Sequence, residues 1–210
     1  MSGQDFVRAA RESDAAAVAR IQVECWRTGY AGIIPDEVLA ELTSDEATER
    51  WRERWAEAIT KPPTSRHRVL VATTTEPAAG AVVEPASAGG AAGPAPVGGR
   101  PERVIAGFAA AGPASDEDRW PATDAELYEL HVAPGRTGQG HGGRLLHAVA
   151  DNLAGDRFAQ VSAWVLEADT AMQGFLETAG WGADGAHSHL DMGARVPIVR
   201  LHTALEVPPE

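Results

Sequence analysis

Apolar and polar residues alternate with two different periods along this chain, and the period changes mark out its elements. Between residues 15 and 30, Val18, Ile21 and Cys25 fall on one face of a helix, with Ser13 or Asp14 placed to cap it. "IIPDEVLAEL" predicts a short second helix with Pro35 near its start. "SDEATERWRERWAEAI" predicts a third: Ser44 stands at its head, and Trp51, Trp55 and Ile59 recur every four residues. Strand-like runs occupy 6–10, 66–74, 103–112 and 125–132. A helix is expected over about 142–153, a strand over 158–166, a helix over 169–180, and two last strands in "HSHLDM" and "IVRLHTALEV".

Residues 76–101 break the pattern. They are an Ala/Gly/Pro-rich run that cannot bury enough surface to offset the entropy of ordering. Two roles fit, an interdomain linker or a flexible insertion in a hairpin. The insertion is favoured, because the N-terminal part alone has too few strands to close a core. The expectation is one domain over 1–210. Its fold class is α+β, a mixed and mostly antiparallel sheet flanked by helices, with one β-α-β crossover around residues 125–166.

Composition narrows the function classes. The formal charge is −12, which argues against a nonspecific grip on nucleic acid, since that requires a basic face. Cys25 is the one cysteine, so an intrachain disulfide and a thiolate zinc cluster are both excluded. No apolar run approaches the roughly 20 residues of a membrane span, and the N-terminus has no apolar signal core. No membrane partner and a cytoplasmic location are therefore expected. His187, His189 and Asp191 lie close in sequence, but two histidines without a clear third ligand read as surface, and no metal site is expected.

The densest signal is "GRTGQGHGG", residues 135–143, with five glycines between a strand and a helix. Three readings compete. Gly138, Gly140 and Gly143 match the G-x-G-x-x-G of an NAD(P)-binding turn, with Glu167 about 24 residues on. Yet Ala133 to Thr137 separate the turn from its strand. That strand also carries Glu126 and Glu129, where a central parallel strand is nearly all apolar. A Walker loop fails because His141 and Gly142 stand where Lys and Ser or Thr belong. The third reading is a pyrophosphate cradle: glycines turn several N–H groups inward, and the following helix adds its positive end. Arg136 and Arg144 would add local positive charge.

These residues resemble the GNAT N-acetyltransferase superfamily. The family motif runs Val-x-Pro and then Gln/Arg-x-x-Gly-x-Gly/Ala; here Val132 and Pro134 precede Thr137-Gly138-Gln139-Gly140-His141-Gly142, followed by Leu145 and Leu146. "LEADTAMQGFLETAGW" is similar to the family's later Asn-to-Tyr-Glu-to-Gly-Phe motif, and "CWRTGYAGIIPDEVL" to its N-terminal substrate-side helices. Three positions depart from the pattern: Thr137 replaces Gln or Arg, Asp169 replaces Asn, and Leu176 replaces the Tyr that often protonates the leaving thiolate.

The resemblance implies a GNAT-like fold, acetyl-CoA as co-substrate, and direct acetyl transfer to a small-molecule or peptide primary amine. It places Thr137, Gly138, Gln139, Gly140, His141, Gly142, Gly143, Asp169 and Phe175 at the cofactor. Leu130, His131 and Val132 would offer backbone groups to it. Trp26 and Tyr30 would line the acceptor pocket, where an aromatic wall suits a cationic amine. Members of the family often dimerise, so a homodimer is compatible with the resemblance. An alkylamine is free base in only about one molecule in 10³ at neutral pH, so a proton acceptor helps. Simple alternation puts Glu126 with Tyr128 and Leu130 on one strand face, and Leu127 with Glu129 and His131 on the other. Glu126 is the first expectation for the base, by its position relative to the glycine motif, and Glu129 the second. Leu176 keeps open a noncatalytic acyl-CoA-binding or regulatory module.

Overall fold

The computed structural model describes residues 6–76 and 102–207. Its elements, in chain order, are β1 (Phe6–Ala9), α1 (Ala15–Gly29), α2 (Asp36–Leu42), α3 (Asp45–Thr60), β2 (Arg68–Glu76), β3 (Glu102–Pro113), β4 (Asp124–Val132), α4 (His141–Gly155), β5 (Gln160–Leu166), α5 (Thr170–Thr178), β6 (Gly182–Asp191) and β7 (Arg195–Ala204). Seven strands form one sheet in the order β1-β2-β3-β4-β5-β7-β6. Every pairing is antiparallel except β4 with β5. The expected mixed, mostly antiparallel α+β sheet is thus what the chain forms. A single parallel pair cannot build the doubly wound sheet that the dinucleotide reading requires.

β2 pairs with β3 along its whole length, from Arg68 opposite Ala111 to Glu76 opposite Glu102. Of the Ala/Gly/Pro-rich run predicted as an insertion at 76–101, Glu76 ends β2 and residues 77–101 lie outside the described residues. Among the described residues, no helix is long and apolar enough to cross a membrane.

Helices cover both faces of the sheet because successive strand residues point to opposite sides. On one face, Leu145, Val149 and Leu153 of α4 and Leu176 of α5 pack with Leu70, Leu127, Leu130 and Val161. On the other, Val18 and Ile21 of α1 and Trp55 of α3 pack with Val71, Phe108 and Ala110. A third cluster joins Trp26 and α2's Leu39 to Leu166, Val196 and Ile198. Local signals act as expected at α3, where the Ser44 hydroxyl accepts the N–H of Ala47 at 3.1 Å. They do not at α1. Asp14 turns its carboxylate back to the Arg11 N–H and the Arg8 guanidinium, capping a single turn of 3-10 helix that leads into α1.

Two irregularities in β4 shape the centre of the molecule. In its ladder with β3, Ala110 faces Glu129 but Ala111 faces Leu127, which leaves Tyr128 without a partner as a β-bulge. The extra residue resets the alternation. Ala125, Leu127 and Leu130 all join the α4 face, whereas Glu129 and His131 lie opposite Ala110 and Phe108 on the α1 face. Glu126 shares that α1 face, since its neighbours alternate around it. This corrects the face assignment expected from simple alternation, which paired Leu127 with Glu129.

The second irregularity is a splay. β5 pairs with β4 only from Asp124 to Glu126, and then continues alone against β7. Beyond Glu126 the two parallel strands diverge, and one edge of β4 is left without a strand partner.

β4 is held in this position from its other side. A Cβ on Gly107 would lie 2.5 Å from the Val132-side backbone, at the His131 carbonyl oxygen. Only glycine allows so close an approach of β3 to the end of β4. Gly107→Ala is expected to cost about 1–3 kcal/mol by forcing the strands apart, read as a lowered urea midpoint. An unchanged midpoint would show that the strands are free to shift.

Candidate active site

The splay opens a cavity of about 950 Å³ between β4 and β5, walled by the end of α1, the glycine-rich turn and α5. On the edge that faces β3, Ala133 donates its N–H to the Ala106 carbonyl at 2.9 Å. By alternation, the amides of Val132 and Leu130 point the other way, into the cleft. Both residues line it.

The turn at the cavity mouth has the geometry of a cradle. Gly138 and Gly140 have φ of 74° and 80°, a region that side chains disfavour, and these two turns aim the chain into α4. The first residues of α4, His141, Gly142 and Gly143, line the cavity at the helix's positive end. At Gly142 a Cβ would meet the Phe175 ring at 3.3 Å and Val132 at 3.7 Å, so the missing side chain lets α5 and β4 close around the helix start. This narrow, N–H-rich wall suits a pyrophosphate, and the unpaired strand edge beside it suits an amide-bearing chain.

Most of the expected site residues come together here. Leu130, His131, Val132, Thr137, Gly138, Gly140, His141, Gly142, Gly143, Asp169 and Phe175 line the cavity, as do Trp26, Tyr30 and Glu129. Two do not. Gln139 is turned away, its side-chain amide donating to the Gly135 carbonyl at 3.4 Å. Glu126 is the last β4 residue still paired with β5, short of the point where the strands part, and accepts from the Ser115 hydroxyl at 3.3 Å. Its carboxyl is pushed up by burial and by nearby Asp116, against the opposing pull of Ser115 and Arg200.

Other side chains are committed locally. The Asp169 carboxylate caps α5 by accepting the Met172 N–H at 3.0 Å. Arg136 pairs with Glu76, which offsets the charge expected to serve the turn. Arg144 donates to the Gln139 carbonyl and to His141 Nδ1, bracing the turn from behind.

Glu129 is the hub of a buried polar chain. The Trp55 indole N–H donates to the Gln22 amide oxygen at 2.8 Å, and the Gln22 amide N–H donates to Glu129 Oε1 at 3.3 Å. Glu129 Oε2 lies 2.6 Å from His131 Nε2. Cys25 lies alongside, its thiol donating to the Val132 carbonyl at 3.2 Å. Burial alone would lower the His131 pKa, but the contacts to Cys25 and Glu129 outweigh it and raise the imidazole to about 9. At neutral pH an imidazolium therefore faces a carboxylate inside the cleft.

The sequence alone does not reveal this network: it puts Cys25 on an apolar helix face and, through the family resemblance, gives His131 a backbone role. The signal that was present is the i, i+2 spacing of Glu129 and His131 on one strand, which places both on one face. Trp51 and Trp164 also line the cavity, and neither was expected there.

Comparison with known proteins agrees with the fold and the cleft. Residues 36–181 match the model of the acetyltransferase (GNAT) family. The chain belongs to the GNAT acetyltransferase family. This GNAT chain is 28% identical over 161 residues to the uncharacterized N-acetyltransferase YuaI of Bacillus subtilis, covering 77% of the chain and 71% of YuaI. Its fold is also that of yncA from Salmonella typhimurium, whose structure was solved with its cofactor acetyl-CoA (TM-score 0.61, 17% identity, 99% and 98% of the two chains covered). The PaiA N-acetyltransferase of Thermoplasma acidophilum, in complex with coenzyme A, is similar at a TM-score of 0.59 and 16% identity, with 94% and 98% covered.

The His131–Glu129 pair has a measurable consequence. The folded-state pKa of about 9 lies above the ordinary 6.5, so the stabilisation it gives is complete below pH 6.5 and is lost as pH rises through about 9. An NMR titration of the His131 imidazole is expected to report that raised value, and Glu129→Gln to move it down. The loss of thermal stability between pH 6.5 and 9 should also be shallower in the variant. An unchanged His131 titration in Glu129→Gln would contradict the pairing.

Proposed function

We propose that this GNAT enzyme transfers the acetyl group of acetyl-CoA to a primary amine, with Glu129 as the proton acceptor. The observation that carries this reading is the position of Glu129: of the three β4 carboxylates, Asp124, Glu126 and Glu129, it alone lines the cleft, beside the unpaired edge of the strand. Acetyl-CoA supplies the activated thioester. The glycine turn and the first amides of α4 fit its pyrophosphate, and the open edge of β4 fits its pantetheine amides. The amides of Leu130 and Val132 are the donors available to a carbonyl oxygen that gains negative charge during attack.

The chain's own groups then manage the proton. The His131 imidazolium beside Glu129 disfavours a second cation, so the incoming ammonium gives its proton to the Glu129 carboxylate, which passes it to solvent through the open cleft, and the neutral amine attacks the thioester carbonyl. Gln22 and Trp55 hold Glu129 in place from behind, so the carboxylate need not reorganise.

Leu176, buried at 1% exposure, has no proton to give to a departing thiolate. The chain has two tyrosines, and Tyr128 spends its hydroxyl on the Pro113 carbonyl at 2.6 Å. Tyr30 lines the cleft, and burial together with the charges of Glu129 and Asp169 raises its pKa, so it keeps its proton. We assign it as the donor. A cytoplasmic enzyme acting as a monomer or homodimer is compatible with this reading.

The test is CoA release from acetyl-CoA across a panel of primary amines. Glu129→Gln is expected to lower kcat by about 10²–10⁴-fold while thermal stabilisation by acetyl-CoA persists, and Glu126→Gln to retain activity. The reverse ranking would make Glu126 the base. Stabilisation by acetyl-CoA without acetylation of any amine would favour the noncatalytic acyl-CoA-binding module.

A further inference from the structure

The wing of the cavity away from the glycine turn has a composition of its own. Trp26, Tyr30, Trp51, Leu42, Trp164 and Met192 line it, all drawn from the third apolar cluster or packed against it. Trp26 stacks on Tyr30 with ring centroids 6.2 Å apart and meets Trp51 edge-on at 5.0 Å, which fixes three rings as one wall. Trp164 is held from outside by the Asp116 carboxylate, which accepts its indole N–H at 3.0 Å. The rings therefore stand in place before any ligand arrives.

Charges are scarce in this wing. Among the described residues lining the cavity, the one guanidinium is Arg136, which lies at the glycine turn and is paired with Glu76. Arg200 lies under Trp164 but is buried at 4% exposure and bonded to Asp116, Asp118 and Asp184. An acceptor that carries a carboxylate would find two cations in the cavity, Arg136 and the His131 imidazolium, each already paired with a carboxylate of the chain. Of the two cavity carboxylates, Asp169 is taken up by the N-terminus of α5, which leaves Glu129 to meet one ammonium group. A second ammonium would have no acid to pair with and would lose its hydration against indole and thioether surface.

We propose that the acceptor is a monoamine on a bulky apolar body, an arylalkylamine or a branched alkylamine, and neither a free amino acid nor a polyamine. The amine stands at Glu129, and the body fills the wall of Trp26, Tyr30, Trp51 and Trp164. This rests on the acetyltransfer reading above and adds the acceptor class to it.

Three amines decide the question in the intact protein: phenethylamine, L-phenylalanine, which adds a carboxylate to the same ring, and spermidine. CoA release is expected to give phenethylamine a kcat/KM at least about tenfold above each of the others. A value for L-phenylalanine or spermidine equal to or above that of phenethylamine overturns the acceptor class and leaves acetyl transfer standing. No turnover of any of the three, in protein that acetyl-CoA still stabilises thermally, overturns the acceptor class, and acetyl transfer falls with it when the wider amine panel is inert as well. A second variant avoids the core. Leu190 lines the cavity from an exposed position, at 42% exposure, so Leu190→Glu adds an acid to the wing without disturbing packing. It is expected to raise kcat/KM for spermidine and lower it for phenethylamine. A fall for both amines in parallel would contradict the proposed role of the wall.

Discussion

β4 and β5 are parallel neighbours that hydrogen-bond for three residues and then part. The rest of the site depends on that separation. A central strand with an unpaired edge ordinarily leaves costly polar groups without partners, and the edge is an invitation to any chain that can complete the ladder. Here it faces a cavity rather than solvent or a second strand. The separation is held open from both flanks: β5 remains tied to β7 along Gln160–Leu166, and β4 is drawn against β3 by the absent side chain of Gly107.

The bulge at Tyr128 is the partner of the splay. Without the extra residue, Glu129 and His131 would lie on the α4 face among Leu145 and Val149, and two polar groups would be buried in the largest apolar cluster. With it, they face α1, where Gln22 and Trp55 complete their hydrogen bonds. A polar pair inside a domain is tolerable only when its remaining donors and acceptors are met. α1 and α3 supply those partners, and the open mouth of the cleft leaves the carboxylate within reach of a ligand.

Local chemistry was legible in the sequence, and long-range geometry was not. The glycine turn with its helix, the Ser44 cap of α3 and the element order could be read from spacing, with most ends displaced by a residue or two, β7 by three and the start of β6 by five. Trp26 and Tyr30, four residues apart across the C-terminal end of α1, were readable as a shared wall. The bulge was not, because a period of two looks the same until cross-strand pairing shows that Ala110 and Ala111 skip Tyr128. Neither was the far side of the acceptor wing. Trp164 reaches it from β5, across the splay from β4, and Met192 from the turn between β6 and β7, in a strand order that no local pattern encodes. The glycine signature itself was ambiguous among three phosphate readings, and the residues just before it, Val132 and Pro134 after a carboxylate-bearing strand, separated them.

Amide hydrogen exchange at the end of β4 tests the central claim most directly. With coenzyme A added, the amides of Leu130 and Val132 are expected to slow markedly, while those of His131 and Ala133, already directed toward β3, change little. Equal protection of Leu130 and Val132 with and without coenzyme A, in protein that binds it, would contradict the account, since the open edge of β4 would then not be where the ligand completes the sheet.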